Sequence, residues 1–212
     1  MRSRSTPGGR CDRCHLRPDL CLCADIRPIR TRTRIVIVRH QLEAKRSSGT
    51  ARIALLALPD AVLVEYGRSP LEPALTPLLG PSPALLYPDG AAPCEQPPDT
   101  IVVVDGSWSQ ARHMMVRSPV LRRLPRLVLP PSDPLPRLRV APHPGGLSTL
   151  EALVRAIGVV EGPDAAAPLE ELCRLHVTRG MAAKGLPVDG ALDPEGLADA
   201  DAPIVAPRSG VY

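Results

Sequence analysis

Short runs of strand-forming apolar residues recur along the chain and restrict its fold more than any other feature. The clearest run is TIVVVD at 100–105, and RIVIV (34–38), AVLVEY (61–66) and ALLY (84–87) resemble it. Continuous apolar runs of this kind are typical of strands that are buried on both faces of a parallel sheet. Helix-forming segments lie between the runs, so the sequence predicts an α/β fold with a mostly parallel sheet.

Several segments predict helices. ARIALLAL (51–58) is rich in Ala and Leu and stops before Pro59. SWSQARHMMVRS (107–118) places apolar residues on one helical face. In the C-terminal third, STLEALVRAIGVV (148–160) has helical spacing, and a second helix follows with Pro168 in its first turn.

Prolines limit regular structure elsewhere. Nine of them lie between residues 68 and 100, and eight lie between 119 and 144. Because proline lacks an N–H donor, we expect both stretches to be irregular. The exceptions that we expect are the ALLY strand and a fifth short strand at 126–129.

Charge and composition divide the chain into three regions. Residues 1–34 contain nine Arg and three Asp, a local balance of +6, whereas the whole chain carries +4. We predict a Cys-rich metal-binding module with a basic arm over 1–33, the α/β domain over 34–185, and an acidic tail with Pro and Gly over 186–212. The basic cluster is consistent with the binding of a polyanion such as RNA. It is nearly as consistent with a basic arm that is exposed to solvent.

No apolar run is long enough to span a bilayer, and residues 1–10 are not followed by the apolar core of a signal peptide. We therefore expect a soluble cytoplasmic protein, and nothing in the sequence indicates an obligate protein partner. Six cysteines in a reducing compartment favour metal binding over disulfide bonds.

Four of these cysteines form the pattern C-x2-C-x6-C-x-C. They are Cys11, Cys14, Cys21 and Cys23. Four thiolates can enclose a zinc ion tetrahedrally and so order a segment that is too short to bury a core. The C-x-C pair is tighter than usual, which leaves open an iron–sulfur cluster, His15 as a substitute ligand, or four reduced thiols.

The turn after TIVVVD is a candidate site, because ligands of α/β sheets bind at the carboxyl ends of strands. Asp105 ends the strand, and it fits ligand contact and helix stabilisation equally well. Gly106 permits close approach of a ligand or another backbone. Ser107 and Gln110 form a capping-box pattern, with Trp108 on the first turn as a core anchor or pocket wall.

A second turn of the same kind follows PHPGG, where Ser148 and Glu151 repeat the capping-box pattern. Two turns of this type with exposed backbone N–H groups can enclose the carboxylate or ribose of a nucleotide-like ligand. A plain Gly-Gly turn before a helix is the alternative.

Four motifs follow one another in a distinctive order. These are the Cys cluster, His40-x-x-Glu43-x-Lys45 with Thr50-Ala51-Arg52, the DGSW-x-Q-A-R segment from 105, and LSTLEA at 147–152. In this order, over about residues 11–160, the chain resembles the DTW-domain family of tRNA-uridine aminocarboxypropyltransferases. Ser107 stands where the family has Thr and keeps the hydroxyl group.

The resemblance implies a fold similar to the knotted SPOUT methyltransferases. It also implies an activity, transfer of the 3-amino-3-carboxypropyl group of S-adenosylmethionine to N3 of a uridine in tRNA, with release of methylthioadenosine. Asp105 is then the expected general base. The expected cofactor contacts are Gly106, Ser107, Trp108, Leu147, Ser148, Thr149 and Glu151.

We assign RNA binding to the N-terminal arginines together with His40, Lys45, Arg46 and Arg52, whose phosphate contacts would make binding salt-dependent. The alternative for Lys45 and Arg46 is that they are simply exposed side chains on the segment that leads into the helix. An S-adenosylmethionine-dependent RNA methyltransferase and a non-catalytic, zinc-stabilised RNA-binding module are the competing functions. We interpret His113, His143 and His176 as structural or surface groups.

Overall fold

The computed structural model describes residues 9–44, 49–88, 92–131 and 146–185. Within these ranges the chain forms a sheet of four parallel strands in the order β2-β1-β4-β3. The strands are β1 (Arg34–His40), β2 (Val62–Tyr66), β3 (Pro83–Leu86) and β4 (Thr100–Asp105). The predicted α/β fold with a parallel sheet is therefore confirmed.

Six α-helices cover the two faces of this sheet within the described ranges. They are α1 (Thr50–Ala57), α2 (Leu71–Leu75), α3 (Trp108–Arg117), α4 (Pro119–Arg123), α5 (Thr149–Glu161) and α6 (Pro163–Ala182). Ile35 and Ile37 of β1 face a core shared with α1, α5 and α6, whereas Val36 and Val38 face a core shared with α2, α3 and α4. Burial on both faces explains why the strands read as continuous apolar runs.

The proline-rich segments contain more helix and less strand than expected. Arg126 makes isolated parallel bridges to Leu85 and to Pro93 but belongs to no strand, so the fifth strand predicted at 126–129 is wrong. The helices α2 and α4 were not predicted. Pro119 occupies the first position of α4, where the missing N–H group needs no partner, so this proline starts a helix instead of preventing one.

The last helix begins earlier than the sequence suggested. Gly162, with φ of +99°, separates α5 from α6, and Pro163 rather than Pro168 lies in the first turn of α6. Pro168 therefore lies inside the helix, where it removes one backbone hydrogen bond. None of the described helices, including the 20-residue α6, is long and apolar enough to cross a membrane.

The Cys-containing segment packs on the main domain. Cys11, Cys14 and Leu22 are buried in the same core as α5 and α6. Arg179 of α6 donates a hydrogen bond to the carbonyl oxygen of Cys21, and its Nη2 lies 2.8 Å from Asp25 Oδ2. The division into three regions stays a prediction, and the predicted tail lies outside the described residues.

The topology predicts a ligand site near the carboxyl ends of β1 and β4. The two strands are neighbours, but α1 follows β1 onto one face of the sheet, whereas α3 follows β4 onto the other. Connections that diverge in this way leave a crevice at the strand ends, which is the usual ligand site of open α/β sheets.

Candidate active site

The turn after β4 is held by its own side chains. The Ser107 N–H donates to Gln110 Oε1 at 2.6 Å, and the Gln110 N–H donates to Ser107 Oγ at 3.4 Å, which confirms the predicted capping box. A Cβ atom at Gly106 would lie 3.1 Å from Gln110 Cβ and 3.6 Å from His40 Cβ. An added side chain would crowd this tight turn, which glycine avoids, and the Ser107 N–H is used at the start of the helix.

The turn before α5 is built in a related way. Ser148 Oγ accepts a hydrogen bond from the Glu151 N–H at 3.2 Å, so the predicted cap of α5 is confirmed. The Glu151 carboxylate is buried and lies 3.0 Å from Arg155 Nη2, one helical turn further along. The Glu151 side chain therefore pairs with a cation at the cavity described below.

A side-chain hydrogen bond joins the two turns. Thr149 Oγ1 donates to Asp105 Oδ1 at 2.6 Å, across 44 residues of sequence. Burial raises the pKa of Asp105 above its usual value of 3.8, and the negative charge of Glu43 adds to this effect. The Thr149 hydroxyl and the Arg39 guanidinium act in the opposite direction without cancelling it. The carboxyl group is therefore a stronger base than an exposed aspartate.

A cavity of about 460 Å³ opens beside these turns. Its walls include four of the predicted cofactor contacts, namely Gly106, Trp108, Leu147 and Thr149, together with residues 86–88 and 126–131. Most of the walls are apolar, and two cations, Arg126 and Arg155, are among the lining residues. This size and composition suit a ligand of nucleoside dimensions, since such pockets measure roughly 300–1,000 Å³.

The other residues that were predicted for catalysis or cofactor binding lie near this cavity without lining it. Ser107 and Ser148 cap the helices that border it, and Glu151 reaches it through Arg155. Asp105 is only 7% exposed and contacts the cavity wall through Thr149. One hydrogen bond, that from Thr149, therefore connects the Asp105 carboxylate to the wall of the cavity.

The four N-terminal cysteines come together as the sequence predicted. Their Sγ atoms all lie within 4.8 Å of one another, with 3.5 Å between Cys11 and Cys23 and 3.8 Å between Cys14 and Cys21. Tetrahedral zinc with Zn–S bonds of about 2.3 Å needs sulfur atoms about 3.8 Å apart, so the donor set fits this ion. The identity of the metal stays a prediction.

Comparison with known proteins places this arrangement in a family. The model of the DTW domain matches residues 8–180, which include the Cys cluster and both turns. The chain belongs to the DTW domain family. The resemblance predicted from the four motifs is thereby confirmed, and no solved structure matches the chain.

This DTW domain is similar to the tRNA-uridine aminocarboxypropyltransferase 2 proteins of three animals. The protein of Drosophila melanogaster is 31% identical over 196 residues, which cover 81% of this chain and 76% of the fly protein. The proteins of Mus musculus and Macaca fascicularis are each 28% identical, over 80% of this chain and 64% of their own length. The chain thus spans less than two thirds of these two mammalian relatives.

The structure describes two of the four residues predicted to bind RNA in the DTW domain, His40 and Arg52. His40 lines a second cavity, of about 550 Å³, at the ends of β1 and β2. Arg52 lies on α1 and donates to the carbonyl oxygen of Ala44 at 2.9 Å. Lys45 and Arg46 lie outside the described residues.

Sequence reasoning missed a row of charged residues across three strands of the DTW domain. In the sheet register, Arg39 of β1 lies between Glu65 of β2 and Asp105 of β4. Arg39 Nη2 is 2.7 Å from Glu65 Oε1, and this contact lowers the pKa of Glu65. The signal was present in RIVIVRH, where a charged residue lies near the end of a buried strand, as Asp105 does at the end of β4.

Proposed function

We propose that this chain is a tRNA-uridine aminocarboxypropyltransferase. It transfers the 3-amino-3-carboxypropyl group of S-adenosylmethionine to N3 of a uridine in tRNA and releases methylthioadenosine. The observation that carries the proposal is the hydrogen bond from Thr149 to Asp105, which joins the two family motifs beside a cavity of ligand size. A SPOUT-like arrangement of the domain, a cytoplasmic location and a structural zinc ion belong to the same proposal.

The cavity of about 460 Å³ is the proposed cofactor site. Trp108 and Leu147 provide apolar walls, and Gly106 and Thr149 let the ligand approach the ends of the strands. Arg155 is the proposed partner of the methionine carboxylate, since it lines the cavity and keeps its orientation through Glu151. When bound, S-adenosylmethionine supplies a sulfonium leaving group.

Asp105 is the proposed general base. Uridine N3 carries a proton and becomes a good nucleophile only when that proton is removed. Thr149 holds Oδ1 of the carboxylate, which leaves Oδ2 for the nucleobase. Arg39 Nε is buried and has no hydrogen-bond partner among the described residues, so it can receive an anionic or carbonyl oxygen of the substrate.

Replacing Thr149 by Val should move the pH dependence of transfer. The base acts as the carboxylate, so the rate falls as the pH drops through the raised pKa of Asp105. Loss of the Thr149 hydroxyl raises this pKa further, and the acid limb of kcat therefore shifts to higher pH. Ser148→Ala is the control, because it removes a hydroxyl from the same turn, one that bonds to the Glu151 N–H and not to Asp105. An acid limb at the wild-type pH in Thr149→Val would contradict this role.

Removing the ring of Trp108 should weaken cofactor binding. Trp108→Ala deletes one of the two aromatic rings that line the proposed cofactor cavity, the other being that of Tyr87. We expect the Kd for S-adenosylmethionine, measured by calorimetry, to rise about tenfold or more. Val116→Ala is the matched control, since Val116 lies on the same helix, is 61% exposed and lies outside that cavity. Equal Kd values in the two variants would remove Trp108 from the site.

Mass spectrometry of tRNA nucleosides tests the function directly. The protein is incubated with S-adenosylmethionine and tRNA that lacks the modification. The proposal requires an aminocarboxypropyl adduct on uridine, which is far heavier than a methyl group. A methyl adduct would favour the methyltransferase alternative, and tRNA binding without saturable binding of S-adenosylmethionine would favour the non-catalytic RNA-binding module.

A further inference from the structure

The second cavity forms an open cleft with an unusual set of side chains. We call it the ring cleft, after the three rings that line it, those of His40, Tyr66 and His113. Its charged lining residues are Arg68, Arg117 and Glu72. The cleft lies on the face of the sheet that carries α3, and its volume is about 550 Å³.

The three rings form a continuous row. The ring centroids of His40 and Tyr66 are 5.8 Å apart, and those of Tyr66 and His113 are 6.3 Å apart. The whole chain has one Trp, three Tyr, no Phe and five His. Three rings in one open cleft are therefore a large share of the groups on which a nucleobase could stack.

The helices beside the ring cleft carry positive charge. From Trp108 to Leu124, across α3 and α4, the sequence contains four Arg and no Asp or Glu. All four are exposed, and they are Arg112, Arg117, Arg122 and Arg123. This pattern is the electrostatic footprint expected of a surface that contacts phosphate groups.

The acidic residues at the ring cleft already have partners. Glu72 Oε1 accepts a hydrogen bond from Ser118 Oγ at 3.2 Å. Glu65, which lies next to Tyr66 at the end of β2, pairs with Arg39 and with Arg68, whose Nε lies 3.0 Å from Glu65 Oε2. Glu65 is thus neutralised by cations, whereas Glu72 keeps its charge beside Arg117 and the two arginines of α4, so the local balance of charge is positive.

The ring cleft and the proposed cofactor cavity meet at the turn after β4. Gly106 lines the cofactor cavity, whereas His40 lines the ring cleft, and the His40 Cβ lies 3.6 Å from the position of a Cβ on Gly106. Helix α3 contributes Trp108 to the former and His113 to the latter. A strand of RNA can therefore place one nucleotide near Asp105 and its neighbours in the ring cleft.

We propose that the ring cleft binds single-stranded RNA, namely the nucleotides that flank the target uridine. Bases stack on His113 and Tyr66, and phosphate groups contact Arg117 and the arginines of α4. This inference rests on the proposed function for the identity of the RNA as tRNA. It assigns substrate binding to the face of the sheet that carries α3, and it gives His113 a role in RNA binding.

Two single variants separate stacking from phosphate contact. His113 and Arg117 are exposed and lie one turn apart on α3, so His113→Ala and Arg117→Ala should leave the fold intact. Binding of the full chain to poly(U) and to unmodified tRNA is measured by fluorescence anisotropy between low and high salt. Arg174→Ala is the charge control, because Arg174 is an exposed arginine on α6 that pairs with Glu170.

The two variants should differ in their salt dependence. His113→Ala should weaken RNA binding by roughly 5- to 150-fold, the effect of losing one base stack, without changing the slope of log K against log salt. Arg117→Ala should reduce that slope by about 0.7, the effect of losing one phosphate contact on a single strand. Arg174→Ala should bind as wild type does, and His113→Phe should restore much of the affinity.

Transfer assays distinguish failure of this inference from failure of the proposed function. In one outcome the wild-type protein modifies tRNA while the His113 and Arg117 variants bind RNA no worse than Arg174→Ala does. That result would overturn RNA binding by the ring cleft and leave the proposed function standing. If the wild-type protein transfers no aminocarboxypropyl group but the variants lose RNA affinity as expected, the proposed function is overturned. RNA binding by the ring cleft is then supported. In an active enzyme the variants should raise KM for tRNA and leave the Kd for S-adenosylmethionine unchanged.

Discussion

Asp105→Asn is expected to slow aminocarboxypropyl transfer by about 10²–10⁴-fold while S-adenosylmethionine still binds. The substitution removes the group that accepts the N3 proton but keeps an oxygen that can accept the hydrogen bond of the Thr149 hydroxyl. The proposed cofactor cavity keeps its walls, because Asp105 does not line it. Single-turnover rates and calorimetric Kd values, measured on the same preparation, separate the two effects.

The fold should tolerate this substitution. Burial raises the pKa of Asp105 in the folded protein. At every pH above the pKa that Asp105 has in the unfolded chain, its ionisation therefore lowers the free energy of unfolding. A neutral Asn does not carry that cost, and Asp105→Asn should melt no lower than wild type at pH 7. Asp60→Asn is the matched control on an exposed carboxylate. A wild-type transfer rate in Asp105→Asn would end the general-base assignment.

Removal of the proposed zinc ion is expected to unfold the Cys-containing segment and to abolish tRNA modification. Zinc bound by peptides of this kind contributes about 10–16 kcal/mol of apparent binding free energy at pH 7, which becomes folding free energy for the segment. Cys21→Ser or chelation should therefore release one zinc ion per chain. Hydrogen exchange should rise across residues 11–26, including the contacts of Arg179 with Cys21 and Asp25, whereas β4 should stay protected.

Two measurements make the metal prediction specific. Cys173→Ala removes a buried thiol of α6 outside the cluster and should leave the metal content unchanged. Elemental analysis identifies the ion, and visible absorption would reveal an iron–sulfur cluster instead of zinc. Protein that contains no metal and still protects residues 11–26 would show that the four thiols pack without an ion.

The sequence by itself determined the local features of the fold. Continuous apolar runs identified the four strands because a strand buried on both faces tolerates few polar residues. The cap at Ser107 and the cysteine cluster were also readable, since each depends on residues that are close in sequence. The same reasoning failed at Pro119 and Pro163, where proline starts a helix that we expected to begin elsewhere or not at all.

Only the tertiary structure decided which distant groups meet. The order β2-β1-β4-β3 places Glu65, Arg39 and Asp105 side by side, and the packing of α5 brings Thr149 within 2.6 Å of Asp105. The ring cleft likewise joins residues from β1, β2 and α3. Strand order and register depend on contacts between segments far apart in the chain, and a local pattern of residue types carries no information about which segments become neighbours.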